Sequence, residues 1–209
     1  MVGLGNPGID LVGTRHNAGA KVAAALAERH QGRLKPEKGL RSLACEVRIG
    51  GRRVLLAIPQ TYMNESGQAV APLVRRAGID QTDRPDRPDP GSPDTPRAAP
   101  SGTGSRLIIV HDELDLPSGR VKVKSGGGTA GNNGLNSIDS HLHTNQYLRV
   151  RVGIGKPPGR QAGADYVLKR PGAAERAILA AAIEEAADAV EAIVTEGVAV
   201  AMSRVNTAG

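Results

Sequence analysis

The chain has almost no aromatic side chains. Tyr62, Tyr147 and Tyr166 are the only three among 209 residues, and Phe and Trp are missing altogether. That shortage argues against a surface that stacks unpaired bases on successive rings. Cysteine is scarcer still. Cys45 stands alone, which excludes an internal disulfide and a cysteine-built zinc site. A reduced, cytoplasmic setting fits that usage. No apolar run approaches the roughly 20 residues of a membrane helix, and no secretory leader is expected. What is present is ordinary globular material, with 39% hydrophobic residues and 27 glycines. Lys and Arg total 27 against 21 Asp and Glu, so the formal charge is +6. An excess of that size hints at a polyanionic partner.

One segment differs from the rest. Residues 81–105 hold six of the 14 prolines, three Arg and four Asp, with no Ile, Leu, Val or Met. Such a stretch buries too little apolar surface to offset the entropy of ordering it. It reads as a disordered insertion within one domain spanning 1–209, because neither flank looks complete by itself. The flanks alternate between strand and helix signals. Leu43, Cys45, Val47 and Ile49 alternate with other residues, as a half-buried strand requires. Gly50-Gly51 signals a tight hairpin. Val54 to Ile58 and Arg106 to Val110 are continuous apolar runs that suit central strands. Residues 16–30 and 65–77 read as helices, the second closed by Gly78. Residues 173–204 form a long Ala-rich helical region that Gly197 bends or divides. This order predicts a single α/β domain.

Two strands separate their charges. In residues 120–124, Val121 and Val123 share one face while Arg120, Lys122 and Lys124 share the other. In residues 148–152, Arg149 and Arg151 fall together in the same way. Such faces could bind phosphates, or could simply be solvated.

Residues 3–8 match the dinucleotide-binding pattern G-x-G-x-x-G. That pattern needs a strand before it, a helix opening on it and an acidic residue closing a second strand. Only Met1 and Val2 precede it, and the acidic candidate Glu28 lies in a helical stretch, so a nicotinamide site is not supported. His111, Asp112, Glu113, Asp115, His141 and His143 include possible metal ligands, yet none has a recognised zinc spacing. No metal and no cofactor are expected.

Five polar clusters invite a catalytic reading. They are Asn6, residues 14–17 (TRHN), 61–64 (TYMN), 111–115 (HDELD) and the glycine-rich 126–134. A histidine can take a proton from water, and a carboxylate can fix its tautomer. Asparagine can donate to a developing oxyanion without adding charge. A glycine-rich loop brings backbone N–H groups close to a substrate. Each cluster also has a plain structural reading. Asn64 could cap the helix beginning near Glu65, and Asp112 or Asp115 could form turns before Pro117.

Taken in order, VGLGNPG (2–8), TRHNAG (14–19), TYMNESGQAV (61–70), HDELDLPSG (111–119), KVKSGGGTAGNNGLNSI (122–138), RVRVGIGKP (149–157) and DYVL (165–168) resemble bacterial peptidyl-tRNA hydrolases. The resemblance spans the chain except 81–105. It implies a mixed twisted sheet flanked by helices. It also implies a cytoplasmic, monomeric esterase without cofactor that cuts the ester between peptide and tRNA. By that resemblance His16 activates water and Asp112 orients it. Asn6, Asn64 and Asn133 position substrate, water or oxyanion, Tyr62 and Met63 line the site, and Gly131 lies near the peptide. Lys124 and Arg151 would clamp the tRNA 5′-phosphate, and both fall on the basic strand faces described above.

The chain departs from the family pattern in four places. Few residues precede VGLGNPG, so the first strand is expected to be very short or the translation start misassigned. Leu11 replaces a frequent Tyr, Asn132 a usual His, and Pro171 a common Phe. An RNA-binding relative that has lost catalysis is the competing reading, against which the retained His16 and Asp112 count.

Overall fold

The computed structural model describes residues 1–79, 106–159 and 161–207. The insertion expected at 81–105 lies outside the described residues. Seven strands form one mixed sheet: β1 (Val2–Gly3), β2 (Lys35–Glu37), β3 (Ser42–Ile49), β4 (Arg52–Pro59), β5 (Ile108–Glu113), β6 (Val121–Ser125) and β7 (Leu148–Gly153). Their spatial order is β2-β3-β4-β1-β5-β7-β6. Strands β4, β1, β5 and β7 run parallel, and antiparallel strands close both edges.

The parallel strands are covered on both faces, which is why β4 and β5 read as apolar runs rather than alternations. One face packs against α1 (Ala18–Arg29), α5 (Ala173–Thr195) and α6 (Val198–Thr207), with Val22, Leu26, Val110, Val150, Ala186 and Val190 at its centre. The other packs against α2 (Ser66–Arg76) and α3 (Asn133–Leu142), around Leu4, Val70, Ile109, Leu135 and Ile138. A short helix, α4 (Gly163–Val167), sits beside the first turn of α1's approach.

Most expected elements are found, with two adjustments. The Arg106–Val110 strand is shifted to Ile108–Glu113, because β7 supplies partners as far as Gly153. His111 and Asp112 therefore belong to a strand end, not a loop. As expected, the long C-terminal helix is divided at Gly197, whose φ of +95° favours glycine. Asn64 caps nothing. It lies in a 3-10 turn (Met63–Glu65) ahead of α2, exposed and without a capping bond. The first strand has two residues. It is held in place because Val2 pairs with both Ala57 and Ile109, and the Met1 ammonium donates to the Leu55 carbonyl.

Helix α1 lies unusually close to the sheet. A Cβ on Gly19 would come within 2.1 Å of the Val110 carbonyl oxygen, and one on Gly3 within 2.1 Å of the Gly19 oxygen. Only glycine permits this approach at either position. It brings the turn before α1, residues 15–17, over the carboxyl end of β5. Strand order reverses about β1, and clefts outside the carboxyl ends of strands at such a point are where open α/β sheets bind ligands.

Candidate active site

His16 stands on that turn and Asp112 on the facing strand end. His16 Nδ1 lies 2.8 Å from Asp112 Oδ1, with both side chains buried. A carboxylate that accepts a hydrogen bond from Nδ1–H leaves Nε2 as the ring's free lone pair. The neighbour His111 points to the opposite face and donates from Nδ1 to the Asp112 carbonyl at 2.7 Å, while its buried Nε2 has no partner among the described residues. Burial lowers the His111 pKa below the ordinary histidine value, so that ring stays neutral.

The pair opens into a cavity of about 260 Å³. Leu114 and Val167 supply apolar wall, and Gly131, Asn132 and Asn133 come from the glycine loop. A larger hollow of about 490 Å³ lies elsewhere, beside Met1 and the arginines Arg52, Arg76 and Arg106. It contains none of the expected catalytic groups, so the smaller cavity is the candidate site.

The remaining expected residues divide by location. Asn6 is buried on the loop after β1, and its Oδ1 accepts from the Met63 N–H at 2.8 Å. That bond docks the 61–64 turn onto the β1 loop. Met63 is buried against α3, whereas Tyr62, at 61% exposure, and Asn64 face outward. Asn133 opens α3 and is exposed at the cavity wall. Gly131 has a φ of +78° in the preceding loop. Lys124 and Arg151 do not line the cavity. They share one sheet face as diagonal neighbours, since Lys122 pairs with Arg151 and Lys124 with Arg149. Arg151 is engaged by Glu113, Nε to Oε2 at 3.0 Å, and Glu113 itself lines the cavity.

The basic strand face is smaller than expected. Arg149 is buried, and its guanidinium donates to the carbonyls of Gly127 and Gly128. Arg120 turns instead to the Asn206 carbonyl at 3.1 Å. Both therefore leave the exposed set, because each finds backbone acceptors that only the tertiary fold brings near.

Three residues take supporting roles that sequence reasoning did not assign. Asn17 bridges both sides of the Asn6 peptide, accepting from its N–H at 3.0 Å and donating to its carbonyl at 2.9 Å. Arg15 lies 4.1 Å over the Tyr166 ring and donates to Glu175, tying the His16 turn to α4 and α5. Asn132 caps α3, its Oδ1 accepting from the N–H groups of Gly134 and Leu135. The capping pattern could have been read from an Asn ahead of an apolar-periodic stretch. The other two depend on residues more than ten positions away. Among the described residues no three His, Cys, Asp or Glu side chains are placed to hold a metal ion, and no helix is long and apolar enough to cross a membrane.

A family profile described as peptidyl-tRNA hydrolase matches residues 1–84 and 101–209. The chain belongs to the peptidyl-tRNA hydrolase family. The peptidyl-tRNA hydrolase of Nocardia farcinica is 44% identical, over 99% of this chain and 95% of its own length. That of Frankia alni is 46% identical, over 94% of this chain and 88% of its own. The crystal structure of the peptidyl-tRNA hydrolase from Acinetobacter baumannii has a TM-score of 0.83 at 32% identity, over 99% of this chain and 93% of that one. The mixed sheet flanked by helices that the family pattern implies is observed, with seven strands. The family match passes over 85–100, within the proline-rich segment.

Proposed function

We propose that this chain hydrolyses the ester joining a peptide to the terminal ribose of tRNA, in the cytoplasm and as a monomer without cofactor. Membership of the peptidyl-tRNA hydrolase family supports the reaction class. The observation that carries the mechanism is the buried His16–Asp112 pair opening into a cavity. Asp112 accepts a hydrogen bond from Nδ1–H and fixes the tautomer, so Nε2 removes a proton from water as that water attacks the ester carbonyl. The carbonyl oxygen takes the electron pair, and asparagine N–H groups at the cavity offset its charge. Collapse breaks the bond to the ribose oxygen, which leaves with the proton held on the imidazolium. The products are a peptide acid and tRNA with its hydroxyl restored.

Substrate placement is divided among the remaining residues. Asn133 and Gly131 meet the peptide end from the cavity wall. Asn6 spends its Oδ1 on Met63, which leaves its Nδ2 hydrogens for substrate, and Asn64 offers the exposed amide of the adjoining turn. Tyr62, exposed on the same turn, meets the peptide, and buried Met63 gives that turn a pliant side chain suited to varied peptides. Lys124 and Arg151 take the tRNA 5′-phosphate, Arg151 by exchanging its contact with Glu113. Recognition by charge and shape needs no aromatic platform. The chain is one domain, in which the segment 81–105 is a passive insertion.

The test is peptide release from N-blocked aminoacyl-tRNA by the wild type and His16→Ala. Release that falls by at least about a hundredfold in the variant, with tRNA binding retained, is expected. Undiminished release in the variant would overturn the mechanism. A folded wild type that binds tRNA without releasing peptide would favour the non-catalytic relative.

A further inference from the structure

Arg149 is the one buried arginine side chain whose charge meets no carboxylate among the described residues. Its relative exposure is 2%, and its partners are two neutral carbonyls, Gly128 at 2.7 Å through Nη1 and Gly127 at 2.6 Å through Nη2, and the Tyr147 ring at 4.9 Å. Tyr147 is itself fixed, its hydroxyl donating to Asp139 Oδ1 on α3 at 2.6 Å. A buried cation held only by dipoles is a poor device for stability alone, since an apolar side chain of similar volume would avoid the desolvation cost. The charge therefore points to a use beyond anchoring.

The loop it grips is held at its two ends and by little else. Gly126 donates to the Tyr147 carbonyl at 3.0 Å, and Asn132 to that of Thr129 at 2.9 Å. Between them Arg149 supplies the hold on the backbone, in the forked geometry that a lysine lacks. A trans peptide sets each carbonyl opposite the N–H of the next residue. Carbonyls of Gly127 and Gly128 turned inward to Arg149 therefore turn the N–H groups of Gly128 and Thr129 outward. Among the described residues neither N–H has an acceptor. The Lys124 ammonium packs on this stretch, 2.6 Å from where a Cβ of Gly127 would stand. Successive outward N–H groups beside a cation form a receptor for an anionic oxygen.

We propose that Arg149 is a positioning residue that builds such a receptor, with the Gly128 and Thr129 N–H groups and Lys124 as its donors and a phosphate oxygen of the tRNA as its ligand. The inference rests on the phosphate-binding role proposed above for Lys124. The phosphate is either the terminal 5′ group or a backbone phosphodiester.

The experiment compares wild type, Arg149→Met, Arg149→Lys and Lys124→Met on three substrates. These are N-blocked aminoacyl-tRNA with its 5′-phosphate, the same tRNA dephosphorylated, and an N-blocked aminoacyl-adenosine that carries no phosphate. Both Arg149 variants should raise KM about tenfold on tRNA while kcat stays within about twofold, the pattern of lost binding rather than lost chemistry. A rise confined to the phosphorylated tRNA supports the terminal phosphate, and a rise on both tRNAs but not on the adenosine ester supports the backbone. An equal rise on the adenosine ester, or none on any substrate, overturns the proposal. Full recovery in Arg149→Lys also overturns it, because charge without the fork would then suffice. Should Arg149→Met show no cooperative melt, Arg149→Lys carries the test. Lys124→Met separates the two readings. If it leaves KM unchanged on tRNA, the Lys124 role fails. If it raises KM while the Arg149 variants do not, only the positioning role fails.

Discussion

Replacing Asp112 by Asn preserves the side chain's shape and removes its charge. Asp112 is buried with Oδ1 2.8 Å from His16 Nδ1, so Asn can still accept that hydrogen bond, but it cannot stabilise the imidazolium that forms as water is deprotonated. Charges in contact at this separation are centred about 4 Å apart, where an effective dielectric near 20 gives about 4 kcal/mol. That corresponds to about a thousandfold in rate. The cavity admits water beside His16, which reduces the loss to between about a hundredfold and a thousandfold. The loss should fall on kcat. Asp112 acts through His16, so KM should stay within about threefold. Steady-state peptide release from N-blocked aminoacyl-tRNA measures both constants, and a thermal melt checks the fold. A well-folded Asp112→Asn protein with kcat within about threefold of wild type would refute the assignment of this pair as base and orienting acid.

Acid should weaken the fold through His111. Burial lowers its pKa in the folded state, so the unfolded chain binds the proton more readily and stability falls as pH drops below 6.5. The Met1 ammonium, pushed down to about 5 by burial, adds a contribution of the same sign from pH 8 to 5. The His111 share is therefore the difference between wild type and His111→Asn. Urea midpoints should fall more steeply with acid in the wild type, by up to about 1.4 kcal/mol per pH unit, and parallel slopes would contradict the reading. Gly19→Ala should destabilise by about 3 kcal/mol in urea unfolding, because its Cβ would meet the Val110 oxygen at 2.1 Å. A loss below about 0.5 kcal/mol would show that α1 can retreat from the sheet. Removing residues 85–100, which the family match passes over, should leave the melting temperature and kcat/KM unchanged within about twofold. A folded deletion variant without activity would give that segment a function.

Much of this protein was legible before any coordinates. Apolar runs at Val54–Ile58 and near Ile108–Val110 announced central strands because strands buried on both faces have no polar side to alternate. Gly50-Gly51, Gly78 and Gly197 marked real turns and helix ends because their positive φ values favour glycine. The ordered motifs identified the family and nominated His16 and Asp112. Sequence could not decide which residues meet across the chain. His16 and Asp112 are 96 positions apart, and their contact depends on α1 resting on bare backbone at Gly3 and Gly19. Nor could periodicity separate Arg149 from Arg151. The two share a strand face and a period of two, yet the glycine loop covers one guanidinium and leaves the other partly open beside Glu113. Periodicity reports which side of a strand a residue faces. What lies over that side is decided by segments distant in sequence, and so only by the tertiary structure.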